Sequence, residues 1–132
     1  MYTFNIIEII FILLVHWVAD FIFQSDSQAK GKSKDIKLLL DHTFTYSMFW
    51  FSIVFLFGYN NRFESTSWYI INTISFVIIT FITHTITDYF TSKLNSKLYN
   101  AGDTHNFFVS LGADQIYHYV QLFLTYGFLK NL

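Results

Sequence analysis

The amino-acid sequence predicts an all-α protein built as a bundle of four transmembrane helices. Hydrophobic residues make up 53% of the 132 residues and aromatic residues 22%, whereas charged residues make up only 13%. A soluble domain of this size could not bury seventeen Phe and nine Tyr, but a bilayer accepts apolar side chains on the outside of a bundle. Four apolar stretches of about 20 residues each match the length that a helix needs to cross a hydrocarbon core of about 30 Å.

The four predicted spans form a single integral membrane domain, residues 1–132. They cover about residues 4–23, 38–57, 68–90 and 107–129. The first stretch has no basic segment before it and no small-residue cleavage site after it, so it is predicted to be a retained span and not a signal peptide. The chain contains no proline, the commonest cause of kinked helices.

The polar connections between the spans predict their orientation. Six of the eight basic residues lie in the first and third connections, residues 25–37 and 91–106, whereas the second connection, residues 58–67, holds only Arg62. By the positive-inside rule the first and third connections are cytoplasmic and both termini lie outside. Aromatic residues near the outer ends of the spans agree in part, since such residues sit at headgroup level. They are Tyr2, Tyr59, Trp68, Tyr69 and Tyr126.

The net charge and the cysteine content restrict the class of partner and the ligands that a metal site could use. The formal net charge is -1, which argues against a nucleic-acid partner, since such a binder needs a basic face. Cysteine is absent, so any metal site must use nitrogen and oxygen ligands. The predicted partner is the lipid bilayer, because the four spans are apolar. A homo-oligomer is also compatible with the sequence, because four spans alone shield a charged centre only thinly.

Three of the spans carry a histidine and an aspartate four residues apart. Residues at that spacing stack on one face of a helix, so both can point at the same place. A charged Asp at mid-membrane costs on the order of 3 kcal/mol even on the lenient insertion scale, so these side chains should face inward and pair. The pairs are His16 and Asp20, His84 and Asp88, and Asp114 and His118, and the second span adds His42.

Depth in the membrane gives an independent check. At a rise of 1.5 Å per residue from the cytoplasmic ends, the four histidines lie about 12, 6, 9 and 16 Å deep in chain order. All four fall in the cytoplasmic half of the bilayer or near its inner limit. We therefore expect the four helices to share one polar centre.

Imidazole and carboxylate ligands without thiolate suit a divalent transition metal such as Zn, Mn or Fe. Seven candidate ligands exceed what one tetrahedral zinc ion requires, so one or two ions are expected, with an aspartate as the bridge between two. Helical bundles with di-metal carboxylate sites follow the same design logic, although their ligand spacing differs. The predicted metal ligands are His16, Asp20, His42, His84, Asp88, Asp114 and His118.

Other polar side chains are assigned supporting or structural roles. Asp20, Asp88 and Asp114 are the candidate catalytic carboxylates, and Gln24, Gln115 and Tyr46 are candidate cofactor-binding residues. Gln115 and Gln121 could instead make helix-helix hydrogen bonds, and the His-Asp pairs themselves could simply hold the bundle together. We expect Glu8 to be a headgroup-level carboxylate, Asp41 a first-turn residue of its helix and His105 a solvated loop histidine.

Four motifs together resemble one family. They are HWVADFIFQSD (16–26), LLLDH with a tyrosine one turn on (38–46), HTITD (84–88) and ADQIYHYVQL (113–122). In combination they resemble the small bacterial and phage membrane proteins grouped as domain of unknown function 3307. The resemblance spans all four predicted helices, implies a multi-span fold in a bacterial inner membrane and points to the same His, Asp and Gln residues. It supplies no activity.

The chain departs from the family pattern at one position. The pattern leads us to expect a lysine three residues after the aspartate of the HTITD motif, where this chain has Thr91. If that lysine binds an anionic group in relatives, Lys93 would have to reach in its place. The Lys-rich first connection is interpreted as the flank that sets topology, with attraction to anionic lipid headgroups as a second interpretation.

The function that fits these features best is a membrane-embedded metal-dependent hydrolase. It would act from the cytoplasmic leaflet on a lipid-linked or membrane-proximal substrate, with a metal-bound water as nucleophile and a free carboxylate as general base. One alternative is a proton- or ion-coupled transporter or channel that uses the same cluster, although polar residues are sparse toward the outer side. A second alternative is a phage-associated membrane interaction protein without enzymatic activity.

Overall fold

The computed structural model describes residues 3–60 and 65–132, and throughout these ranges the chain forms helices and no strand. Two residues that entered the topology prediction, Tyr2 and Arg62, lie outside the described ranges. The helices are α1 (Ile6–Trp17), which continues into a π-helical turn (Val18–Ile22); α2 (Asp26–Gly31); α3 (Ile36–Phe49), which continues through a 3-10 turn (Trp50–Ile53) into α4 (Val54–Asn60); α5 (Thr66–Asn100); and α6 (Thr104–Lys130).

Each predicted span corresponds to one continuous helical rod: α1 with its π-helical turn, α3 with α4, α5, and α6. Of these, α5 is longer than expected. It continues to Asn100, whereas the predicted span stopped at residue 90. The segment 91–100 lacks glycine and proline, and so nothing in it ends the helix. The end comes where Gly102 takes a φ of 71°, and the Asp103 N–H donates to the Leu98 carbonyl over 3.1 Å. Most of the predicted third connection is therefore helix.

The first connection is also partly helical. Ser25 caps α2 through its hydroxyl, which accepts from the Gln28 N–H over 3.3 Å, and the Gln28 side chain accepts from the Ser25 N–H over 2.9 Å. This reciprocal capping box starts a short helix as soon as the π-helical turn ends. α2 then turns the chain back over the end of the bundle and toward α3.

α5 lies at the centre of the packing, with α3 on one side and α6 on the other, and α1 closes the bundle against α6. A block of fully buried apolar side chains fills the interior between these helices. Its largest members are Trp50, Phe76 and Tyr126. This apolar block occupies the half of the bundle away from α2.

The distribution of polarity is inverted relative to a soluble protein. Among the described residues, fourteen polar or charged side chains are buried, against thirteen apolar ones. Large apolar side chains cover the outside instead, and one example from each rod, Leu14, Phe55, Ile71 and Ile116, is more than half exposed. Within the described ranges, α5 is the one helix whose length and apolar composition would let it cross a membrane.

Glu8 and Tyr126 are buried within the bundle. Glu8 was expected to be a headgroup-level carboxylate, and the structure shows that it is completely buried, where it accepts from Tyr126 Oη over 2.7 Å and from Lys130 Nζ over 2.6 Å. Tyr126 is likewise buried and so contributes to the core and not to an aromatic belt. The reason is that α1 and α6 lie side by side at this end, which brings a lysine from the last turn of α6 onto the first turn of α1.

Candidate metal centre

The structure brings together the seven predicted His and Asp side chains at the end of the bundle that α2 covers. They come from α1 and its π-helical turn, α3, α5 and α6, and none is more than 6% exposed. The π-helical turn contributes directly, because its extra residue per turn places both Ala19 and Asp20 in the interior. Such turns recur at functional sites.

Four ligand atoms converge on one point, and we call this group site 1: Asp20, His42, His84 and Asp88. His42 Nε2 lies 3.1 Å from Asp20 Oδ1, 3.3 Å from Asp88 Oδ2 and 3.3 Å from His84 Nε2. His84 Nε2 lies 3.5 Å from the same Asp20 oxygen and 3.7 Å from the same Asp88 oxygen. Two imidazole nitrogens and two carboxylate oxygens therefore face one another.

The spacing within site 1 matches the edges of a coordination tetrahedron. Ligand atoms about 2.0 to 2.2 Å from a zinc ion stand about 3.3 to 3.6 Å apart in a regular tetrahedron. The five separations above run from 3.1 to 3.7 Å. His42 Nε2 can hydrogen-bond Asp20 Oδ1, but His84 Nε2 and His42 Nε2 both point at the same centre, and each of them leaves the other without a full set of partners. Site 1 can hold a metal ion with four protein ligands.

A second group shares one aspartate with the first, and we call it site 2: Asp88, Asp114 and His118. His118 Nε2 lies 3.1 Å from Asp88 Oδ1 and 3.3 Å from Asp114 Oδ1. Asp88 thus presents one carboxylate oxygen to each site, as a carboxylate that bridges two ions does. Asp114 Oδ1 is buried, and its one close polar neighbour within the described chain is His118 Nε2, the other candidate ligand of site 2. A cation between them would satisfy both atoms.

His16 belongs to the cluster but to neither site. Both of its ring nitrogens are already used, since Nε2 donates to Gln115 Oε1 over 2.8 Å and Nδ1 accepts from Tyr46 Oη over 2.8 Å. Its Nε2 is 3.8 Å from Asp20 Oδ2, which is beyond hydrogen-bonding distance. As a metal ligand His16 remains a prediction, and the geometry favours a supporting role.

The three residues predicted to bind a cofactor hold the ligands in place. Gln115 donates to Asp20 Oδ2 over 3.3 Å and to Asp114 Oδ2 over 3.2 Å, so one amide links the two sites. Gln24 Nε2 contacts both ring nitrogens of His42, at 3.1 Å from Nδ1 and 3.2 Å from Nε2. The Tyr46 ring stacks on His84 with ring centres 3.8 Å apart. Such contacts around the ligands fix ring orientation in metal sites.

The sequence analysis missed Lys32, a residue of the first connection. Its ammonium donates to Asp88 Oδ2 over 2.6 Å. Burial lowers the pKa of Lys32, but the nearby Asp88 and Asp20 carboxylates outweigh burial and hold that pKa above the ordinary lysine value. Lys93, suggested as the replacement for the lysine absent at Thr91, instead lies over the exposed Tyr89 ring, 3.4 Å from its centroid. No local pattern in the sequence distinguishes Lys32 from its neighbours.

A cavity of about 370 Å³ leads from the cluster toward the surface. Asp20, Asp114 and Gln115 border its inner end, and α2, the extended part of α5 and the start of α6 form its walls. His42, His84 and Asp88 do not line it. Each site thus contributes one residue to the cavity wall, Asp20 from site 1 and Asp114 from site 2, and both sites adjoin its inner end.

The other polar residues considered in the sequence link helices or lie on the surface. Gln121 donates to Thr87 Oγ1 over 2.7 Å and so links α6 to α5, which is the helix-helix alternative. His105 and Asp41 are exposed. Asp41 lies in the second turn of α3 and not in its first, because the helix begins at Ile36.

Comparison with known proteins gives one match. A family model described as "Protein of unknown function (DUF3307)" matches residues 9–132, which include both sites and Lys32. No curated protein and no solved structure matches the chain.

Proposed function

Because the chain belongs to the DUF3307 family, whose members share no assigned activity, we propose a function from the site itself: a membrane-embedded, two-metal-dependent hydrolase. The observation that carries the proposal is site 1, where five of the ligand-ligand distances lie within about 0.2 Å of the edge lengths of a tetrahedral metal site. Clusters that only hold helices together do not need two imidazole nitrogens aimed at one point.

Four membrane spans are supported by the inverted polarity of the bundle. α1, the rod formed by α3 and α4, α5 and α6 all carry large apolar side chains on their outer faces, while the Asp and His residues point inward. Lipid accepts that outer surface, and water does not. The metal centre would then lie near the cytoplasmic leaflet, since the lysine-rich α2 segment covers it and the positive-inside rule places that segment in the cytoplasm. Both termini would lie outside.

The two sites would have different tasks. Site 1 has four protein ligands, so an ion there would be suited to fixing the Asp20 and Asp88 carboxylates. Site 2 has three protein ligands, one of which, Asp114, lines the cavity, so an ion held by Asp88, Asp114 and His118 would have room for water. Such an ion would supply an activated water near neutral pH. The Asp20 and Asp114 oxygens that accept from Gln115 would be the candidates for the general base.

The transporter alternative has less support. A path across the membrane would have to continue from the metal centre through the other half of the bundle. That half is filled by Ile12, Trp50, Phe76 and Tyr126, all with no exposed surface, and closed at its end by the Glu8-Lys130 ion pair. The centre is therefore accessible from one side, which suits an enzyme.

Metal analysis of the purified protein tests the proposal. The detergent-solubilised protein, incubated with Zn or Mn and then freed of excess metal, is expected to retain two equivalents. His42→Ala removes a ligand of site 1 alone and His118→Ala a ligand of site 2 alone, so each variant is expected to retain one. His105→Ala, a change at an exposed histidine, is the matched control and should retain both. Wild-type protein without stoichiometric metal would overturn the proposal.

A further inference from the structure

The cavity beside site 2 has one wall that is rich in hydrogen-bond donors. Ser92, Asn95, Ser96 and Asn100 recur along one face of the extended part of α5, and all four line the cavity. Ser92 is nine-tenths buried, and its Oγ has no hydrogen-bond partner within the described chain. Buried polar atoms without partners are rare in folded proteins, so an unpartnered hydroxyl in a cavity wall points to a ligand.

Lysines line the same cavity from the opposite side. Lys30, Lys32 and Lys34 all border it, whereas Lys37 of the same connection does not. The Lys30 ammonium pairs with Asp26 and the Lys32 ammonium with Asp88, so Lys34 is the lysine of this wall with no ion pair among the described residues. Lysines and hydroxyl groups on opposite walls of one cavity suit phosphate oxygens. The charge balance at the inner end agrees, since two divalent ions would outweigh the three carboxylates of the centre and leave it positive. The ligand is therefore an anion.

The third wall is apolar. Phe21 of the π-helical turn and Phe107 and Leu111 of α6 line it. Phe21 is 46% exposed, so it lies at the boundary between the cavity and the outer surface of the bundle. In a membrane that outer surface faces lipid. An anionic head group in the cavity could thus keep its hydrocarbon chain in the bilayer.

We infer that the cavity binds the phosphate-ester head group of an amphiphile, and that this ester is the substrate of the two-metal centre. The inference rests on the proposed function, since the ions would lie at the inner end of the cavity. In the reaction the oxygen of water forms a bond to phosphorus, and the bond between phosphorus and the leaving oxygen breaks. That oxygen takes up a proton, so the products are an alcohol and a phosphate.

Release of inorganic phosphate from phosphatidic acid in detergent mixed micelles tests the inference on metal-loaded protein. Two further substrates are compared with it. Para-nitrophenyl phosphate, a soluble phosphate ester, tests whether a lipid chain is required, and para-nitrophenyl butyrate, a carboxylic ester, tests whether a phosphate is required. We expect phosphate release from phosphatidic acid and little reaction with the other two. Removing one charge-assisted contact should cost about tenfold or more in kcat/KM, so Lys34→Gln and Ser92→Ala are expected to lower it by that factor. Lys37→Gln, the matched control, should not.

Metal content, measured in the same samples, distinguishes a failure of the phosphate-ester inference from a failure of the proposed two-metal function. Protein that holds two ions but cleaves only the carboxylic ester, or releases no phosphate, would overturn the inference and leave the metal centre intact. Equal activity on the soluble phosphate ester would overturn the assignment of an amphiphile. Full activity in both Lys34→Gln and Ser92→Ala would show that the cavity is not the binding site. Protein without metal would overturn the proposed function as well.

Discussion

The ammonium of Lys32 lies 2.6 Å from Oδ2 of Asp88, the carboxylate that sites 1 and 2 share. A lysine from the first connection thus pairs with an oxygen that a metal ion in site 1 would also bind. Without metal, Lys32 compensates part of the negative charge that the three buried aspartates carry. With metal bound, this compensation would no longer be needed.

Lys32→Met is therefore expected to destabilise the metal-free protein far more than the metal-loaded protein. Removing one partner of a largely buried ion pair costs about 3 kcal/mol, because the other charge remains uncompensated. A divalent ion at Asp88 should restore most of that loss. Thermal unfolding in detergent, with chelator and with added Zn, measures both states. Lys93→Met, at an exposed lysine, is the control, and an equal loss in both conditions would show that Lys32 does not substitute for a metal ion.

His16→Ala is expected to leave the metal stoichiometry unchanged but to weaken metal affinity. His16 touches Gln115 and Tyr46 and through them orients Asp20, Asp114 and His84, and loss of such a contact typically costs 10–100-fold in affinity. Competition with a chromophoric chelator measures the affinity. If the variant instead lost one whole equivalent, as His118→Ala should, His16 would be a ligand, as the sequence first indicated.

Glu8 is expected to stabilise the fold without any effect on metal binding. Glu8→Ala leaves the Lys130 ammonium without its buried partner, at a cost of about 3 kcal/mol. Glu8→Gln combined with Lys130→Met removes both charges, so this double variant should be more stable than Glu8→Ala. Unfolding midpoints and metal content are measured on the same preparations. Loss of metal in a folded Glu8→Ala variant would contradict the separation of the two ends.

The candidate site could be predicted from sequence because each pair, such as His84 and Asp88, lies four residues apart on a single helix. Spacing of that kind needs no knowledge of tertiary structure, and the burial cost of an aspartate then forces each pair inward. The division into two sites could not be predicted. It depends on which oxygen of Asp88 faces His42 and which faces His118, and helix rotation sets that.

The features that sequence missed depend on contacts between distant parts of the chain. Lys32 reaches Asp88 only because α2 folds back over the bundle, and Glu8 is buried only because Lys130 lies beside it. The cavity wall needed the extension of α5 past residue 90, where a drop in hydropathy was interpreted as the end of the helix. A fall in hydropathy marks the membrane boundary, whereas a helix ends where the backbone requires it, here at Gly102.

The metal stoichiometry of Asp88→Asn tests the central claim most directly. Asp88 is the one residue common to both sites, so its loss should remove both ions, whereas Asp41→Asn, a change at an exposed aspartate, should remove neither. Elemental analysis of detergent-purified protein after metal loading is expected to give two equivalents for wild type and for Asp41→Asn, and none for Asp88→Asn. An Asp88→Asn variant that keeps both ions, or wild-type protein that binds none, would contradict the account.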